Sequence, residues 1–178
     1  VMDVGAVGIV VPYVRSAAEV AEAVGYAKYP PEGVRGIGAE RSTRWGHGIL
    51  QFVPRANENS LVWVMMETVE AGDRIDQILD VPGVDAVFFG LHDYSATSGF
   101  PGTADQAPVM KRAMEIQQRV RDRRVPSGIL ASERADIQRR LDEGFRIIGL
   151  GFDTMLLVQA ATQALEAAGR KVPESAWY

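Results

Sequence analysis

The stretch DAVFFGLHD, residues 85–93, decides how this chain folds. Val87, Phe88 and Phe89 form a continuous apolar run, the pattern of a strand buried on both faces of a parallel sheet. Gly90 ends the run. A titratable pair, His92 and Asp93, follows where the buried strand has just stopped.

Working outward, the same pattern returns four times. GIVVPYV (8–14), SLVWVMMET (60–68), PSGILAS (126–132) and RIIGLGF (146–152) are short apolar runs that read as strands. Helical patterns lie between and after them, over 16–29, 70–80, 107–124, 134–145 and 154–171. Ser16 with Glu19 three residues on is a capping box, and Ala17, Val20, Ala21 and Val24 make an apolar stripe. VPGV (81–84) is a turn, and Gly144 ends the fourth helical pattern. The opening VMDVGA reads as a helix end and its glycine turn, so the chain is expected to enter a fold already under way. PPEGVRGIGAERSTRWGHG (30–48) is too long for a plain connector, and loops of that length are usually functional or disordered. A polar stretch, PRANENS, follows, and the tail VPESAWY (172–178) is expected to be loosely ordered.

Alternating strands and helices predict an α/β fold with a parallel sheet and helices outside. Two architectures fit, an open doubly wound sheet and part of a (β/α)8 barrel. A complete barrel typically takes about 250 residues, and five strands in 178 residues is the spacing of five-eighths of one. An open sheet normally carries a glycine-rich phosphate loop after its first strand. PYVRSAAE has none. No linker or internal repeat divides the chain, so a single partial-barrel domain is expected over 1–178.

Composition narrows the function. The net charge is -4, without the basic footprint of a nucleic-acid binder. The one basic cluster, RVRDRR (119–124), lies on a helical pattern and reads as a solvated face. There is no cysteine, which removes disulfides, zinc-thiolate sites and a cysteine nucleophile. No apolar run approaches the roughly 20 residues of a membrane span, and no signal peptide is visible.

Parallel sheets collect functional residues at the carboxyl ends of their strands. Here those ends carry Pro12 and Tyr13, Met66 and Glu67, Gly90, His92 and Asp93, Ser132, and Gly151 with Asp153. Glu67 and Asp93 are carboxylates on consecutive strands. Two carboxylates converging at one rim repel unless a cation or a proton intervenes. Mg²⁺ typically takes one or two carboxylates and completes its shell with water and substrate oxygens. The alternative is that Glu67 caps a helix and Asp93 a turn. Spacing leaves both open.

VPGVDAVFFGLHDYSATSG resembles the strand-and-loop signature of the HpcH/HpaI aldolases, class II pyruvate aldolases related to citrate lyase. DVGAVGIVVPYV, KYPPEGVRGIGAERSTRWG, VMMETVEAGDRIDQIL and IIGLGFDTML agree in order, so the resemblance spans almost the whole chain. It implies a (β/α)8 barrel of the phosphoenolpyruvate/pyruvate type. It implies that Glu67 and Asp93 hold Mg²⁺, Mn²⁺ or Co²⁺, which chelates pyruvate and stabilises its enolate. It places the backbone of Gly90, Leu91 and His92, with Met65 nearby, against the substrate. It further implies a cytoplasmic, dimer-based homo-oligomer, with a hexamer as one arrangement, joined through the terminal helix by Met155, Leu156, Val158 and Leu165.

The sequence departs from the family pattern in three places. Leu91-His92 stands for the commoner Pro-Ala, and Met65 stands where some members carry glutamine. The family's first three strands, with the histidine base and the pyruvate-gripping arginine, have no counterpart among the matching segments. His92 is a candidate replacement for that base, although on extended backbone it is expected to point away from Asp93. Arg35, Arg41 and Arg44 are candidate contacts to substrate or a neighbouring subunit, and Arg35 among glycines also suits a turn. His47 reads as a solvated loop histidine, Asp153 as the N-cap of the terminal helix, and Met65 and Met66 otherwise as core.

The resulting expectation is a metal-dependent aldolase that cleaves 4-hydroxy-2-oxo acids to pyruvate and an aldehyde. Two alternatives stand beside it. One is an acyl-CoA lyase or oxaloacetate decarboxylase on the same metal site. The other is an inactive fragment, whose unpaired edges would make it prone to associate.

Overall fold

The computed structural model describes residues 1–103 and 106–171, and the tail VPESAWY lies outside the described residues. Five strands form the sheet: β1 (Gly8–Val11), β2 (Leu61–Met66), β3 (Ala86–Phe89), β4 (Ser127–Leu130) and β5 (Ile147–Gly149). All neighbouring pairs are parallel, in the spatial order β1-β2-β3-β4-β5.

That order settles the two architectures left open above. An open doubly wound sheet reverses its strand order at a switch point and carries helices on both faces. Here each strand adds beside the last without reversal. The core lies on one face only. Val62, Val64, Met66, Val87, Phe89 and Ile129 pack there against helical residues such as Val20, Ile75, Ile78, Ala113 and Ile116. The opposite face carries Val10, Leu61 and Leu130, each at least 40% exposed. Sequential parallel strands with helices outside and an open inner face are the pattern of a partial (β/α)8 barrel.

The register builds that inner face in layers. Val10 stands beside Trp63 and Ala86, and Met65 beside Phe88, Gly128 and Ile147. The Phe88 ring lies over Gly128, where a Cβ would come within 2.6 Å of it. Only glycine admits the ring at that point.

Among the described residues eight α-helices connect and follow the strands: α1 (Ala17–Ala27), α2 (Ile49–Ala56), α3 (Val69–Asp73), α4 (Ile75–Leu79), α5 (Leu91–Thr97), α6 (Ala107–Asp122), α7 (Arg134–Asp142) and α8 (Asp153–Ala167). Ser16 caps α1 by accepting from Glu19 N–H at 3.3 Å. The Glu19 carboxylate reaches back to Arg15 N–H rather than to Ser16, so the capping box is shifted by one residue. The pattern over 70–80 is two short helices, broken at Arg74, whose Nη1 donates to the Arg15 carbonyl. A ladder of exposed pairs, Arg112–Asp73, Arg119–Asp76 and Arg123–Asp80, ties α6 to α3, α4 and the turn after it. Exposed pairs are individually worth less than about 1 kcal/mol, so the buried apolar contacts hold this layer.

Several expectations are corrected. Strand β1 ends at Val11, because Pro12 has no N–H for the ladder and Tyr13 takes a positive φ of 57°. Residues 49–56, where no element was expected, form α2, and the stretch after β3 is a helix, α5, rather than extended backbone. Asp153 is the first residue of α8, not its cap; Phe152 holds the cap position, and the Asp153 carboxylate accepts from Thr154 N–H.

Candidate active site

Adjacent residues on a strand point to opposite faces. Val62, Val64 and Met66 face the helices, so Glu67 follows Trp63 and Met65 onto the inner face, at the carboxyl rim. The register pairs Met66 with Phe89, which sets Glu67 beside Gly90.

Two contacts fix the Glu67 carboxylate. Its Oε1 accepts from Tyr13 N–H at 2.6 Å. Its Oε2 occupies space above Gly90, where an added Cβ would come within 2.7 Å of it. The positive φ at Tyr13 turns that N–H toward β2. Thr68 secures the corner: its Oγ1 donates to the Val14 carbonyl at 3.0 Å and accepts from Ala71 N–H as the cap of α3.

Glu67 is 3% exposed. Burial pushes its carboxyl above the ordinary value of 4.5; the Tyr13 N–H pulls it down, and the nearby charge of Asp93 pushes it up again. Asp93 itself is exposed, in the first turn of α5. Among the described residues neither carboxylate forms an ion pair with lysine or arginine. Nor do three or more histidine, aspartate or glutamate side chains cluster to hold a metal among them. The donor set is therefore two carboxylates with mutually unfavourable charges and, among the described residues, no lysine or arginine counter-ion. That suits a hard divalent ion whose other ligands are water and substrate oxygens.

A cavity of about 460 Å³ opens at the rim beside this pair. Met65, Gly90, Leu91, His92 and Asp93 all line it, so the structure brings these predicted site residues together. Glu67 lies behind Gly90 rather than on the cavity wall. The expectation that His92 points away from Asp93 rested on extended backbone. Both residues lie on helix α5, where neighbours are not on opposite sides, and both line the cavity.

Three predicted arginines are elsewhere. Arg35 is buried, paired with Asp3 at 2.6 Å and stacked 4.6 Å over the Tyr29 ring. Its charge is paired there, and it lines no part of the Asp93 cavity. Arg41 and Arg44 sit in the loop before α2 and line no part of the Asp93 cavity. His47 is an exposed turn residue in the same loop. Sequence reasoning missed two contributors. One is the Tyr13 N–H, whose orientation depends on a positive φ that nothing in PYVRS signals. The other is α7, whose Asp136, Arg139 and Arg140 form a wall of the cavity. Their spacing, 136, 139 and 140, was the available sign that they share one helix face.

Comparison with known proteins supports the fold. The chain is 38% identical over 168 residues to a 4-hydroxy-2-oxo-heptane-1,7-dioate aldolase of Escherichia coli, covering 93% of this chain and 63% of that protein. It is 38% identical over 167 residues to a hydroxypyruvate/pyruvate aldolase of Roseovarius nubinhibens, covering 93% and 65%. The chain thus spans slightly less than two thirds of these relatives. The crystal structure of an HpcH/HpaI aldolase/citrate lyase family protein from Burkholderia cenocepacia matches with a TM-score of 0.87 and 27% identity, over 94% of this chain and 67% of that one. The family model for HpcH/HpaI aldolase/citrate lyase covers residues 1–160, from before β1 into α8. With this match over 160 of its residues and its sequential parallel strands, this chain belongs to the HpcH/HpaI aldolase/citrate lyase family.

Proposed function

We propose that this chain forms the metal-binding and substrate-binding part of an aldolase that cleaves 4-hydroxy-2-oxo acids to pyruvate and an aldehyde. The observation that carries the reading is the buried Glu67 carboxylate. It is fixed by Tyr13 N–H, leans over Gly90, is raised in pKa and has the Asp93 charge nearby. The names of the relatives support the same chemistry.

In this reading Glu67 and Asp93 hold Mg²⁺, Mn²⁺ or Co²⁺. The bound ion supplies Lewis-acid stabilisation of negative charge developing on the pyruvate oxygen. The chain's own residues position the substrate. Gly90 leaves room for the Glu67 carboxylate, whose Oε2 lies where a Cβ would stand, and sets the backbone of residues 90–92 at the cavity. Met65 and Leu91 supply apolar floor, and His92 stands at the same cavity beside Asp93. Cleavage breaks the C3–C4 bond. The proton leaves the 4-hydroxyl, and the bonding pair passes to the pyruvate fragment, which is then protonated at C3.

Two measurements bear on this. Pyruvate release from a panel of 4-hydroxy-2-oxo acids is expected with Mg²⁺ or Mn²⁺ and is lost in EDTA; release that persists under chelation removes the metal from the account. Gly90→Ala is expected to push the Glu67 carboxylate aside and lower kcat/KM roughly 10-fold, because small misplacements of a reacting geometry are costly. Unchanged steady-state kinetics would show that the close approach at Gly90 has no functional weight.

The assembly proposal also carries forward in changed form. On α8, Leu156, Leu157, Val158 and Leu165 are all at least 42% exposed, while Met155 is buried against its own chain. The exposed four, without Met155, form the surface we propose for contact with another subunit. Among the described residues no helix is long and apolar enough to cross a membrane.

A further inference from the structure

We infer that Thr68 is a positioning residue: through the Val14 carbonyl it holds the Tyr13 N–H against the Glu67 carboxylate. The inference rests on the metal site of the aldolase reading and adds to it the group that fixes its buried ligand. It is carried by a closed ring of contacts between the ends of β1 and β2. Tyr13 N–H donates to Glu67 Oε1 at 2.6 Å. Val14, the next residue, accepts at its carbonyl from Thr68 Oγ1 at 3.0 Å. Thr68 is itself bonded to Glu67 along the chain. Both hydrogen bonds join residues 54 apart, and Val14, Glu67 and Thr68 are all buried.

Residues 12–15 belong to no helix or strand. Side chains take their backbone groups one after another. Glu67 takes the Tyr13 N–H and Thr68 the Val14 carbonyl, while Glu19 takes the Arg15 N–H at 2.7 Å and Arg74 the Arg15 carbonyl at 3.1 Å. Tyr13 needs such support. A non-glycine residue at φ 57° is strained and persists only where its surroundings over-determine it. Apart from Glu67 itself, Thr68 is the one buried side chain of these four. Without its hydroxyl the turn can relax, and the Tyr13 N–H moves away from Oε1.

The consequence falls on the metal ligand. With Oε1 held, Oε2 keeps a fixed place above Gly90. A carboxylate ordered in advance gives up less freedom when it takes a cation, and partners behind a metal ligand commonly set about 10- to 100-fold in affinity. The same hydroxyl also accepts from Ala71 N–H as the cap of α3, so a change in stability does not by itself speak for this role. The metal affinity of the folded protein does.

The test titrates Mn²⁺ into the folded proteins and follows the free-ion electron paramagnetic resonance signal. Thr68→Val is expected to bind at least about 10-fold more weakly, and Thr68→Ser, which keeps the hydroxyl, to recover most of the affinity. Thr43→Val is the control. Thr43 is equally buried, and its Oγ1 donates to the Gly38 carbonyl at 2.9 Å in the loop before α2. That variant is expected to lose stability and keep its Mn²⁺ affinity. If Thr68→Val does not fold, Thr68→Ala, which sets no methyl group against the Val14 carbonyl, is read in its place. Unchanged affinity in the Thr68 variant overturns the inference and leaves the metal site standing, and equal weakening in Thr43→Val overturns it too. If the unsubstituted protein takes up no Mn²⁺, the metal reading fails by itself. Hydrogen exchange of the Tyr13 amide in EDTA then decides the inference. Exchange at least about 10-fold faster in the Thr68 variant, relative to the amides of β2 and β3, supports it. Equal exchange overturns it.

Discussion

Replacing Asp93 with asparagine is expected to lower metal-dependent kcat/KM at least about 100-fold, a loss of about 2.7 kcal/mol of transition-state stabilisation. The fold should hardly notice. Asp93 is exposed and makes no ion pair with lysine or arginine among the described residues. Its contribution to α5 is a negative charge in the first turn, a helix-dipole effect of about 0.3–1 kcal/mol. For a chain of this size that shifts Tm by no more than about 2–4 °C. The substitution keeps the shape of the side chain and removes its charge, so activity and stability should separate. Turnover that survives with its metal dependence intact would reduce Asp93 to a helix-end residue.

Glu67→Gln is expected to combine a loss of at least about 100-fold in metal-dependent turnover with no loss of stability at neutral pH. Its Tm should rise, by about 2–4 °C for each kcal/mol of relieved cost. Burial, then the Asp93 charge, raise the folded pKa of Glu67 above 4.5, so the folded state holds the ionised carboxylate at a cost. The glutamine carbonyl can still accept the Tyr13 N–H. The sign of the pH dependence follows from linkage. Well above the raised folded pKa, Glu67 is ionised in both folded and unfolded chains and its full cost is present. As pH falls through the folded pKa toward 4.5, the folded carboxyl takes up a proton first and the cost disappears. The Tm advantage of the variant over the native protein should therefore be largest at neutral pH and shrink toward pH 4.5. A variant less stable at every pH would mean that Glu67 is a structural anchor first.

The strands were legible because each is a continuous apolar run, and only residues buried on the sheet supply such runs. Their carboxyl ends were less so: Pro12 and Tyr13 looked like strand but turn away from it. Helix α2 was hidden by Pro54 within it and by the glycine-rich loop before it. Helix α5 was hidden because LHDYSAT has few apolar residues. Its Leu91 and Tyr94, three apart, are buried together with Ser95. Glu67 and Asp93 could be read from their places after apolar strands. The role of the Tyr13 N–H could not, because it depends on a backbone angle. The partner of Arg35 was not legible either: it stands among glycines, and Asp3, which pairs with it, lies 32 residues earlier.

The central claim is that Glu67 and Asp93 together hold a divalent cation. The most direct measurement is a titration of the protein with Mn²⁺, followed by the loss of the free-ion electron paramagnetic resonance signal. The account predicts one saturable site per chain, competed by Mg²⁺ and lost in both Asp93→Asn and Glu67→Gln. No saturable uptake of Mn²⁺, or uptake of equal strength in both variants, would contradict it.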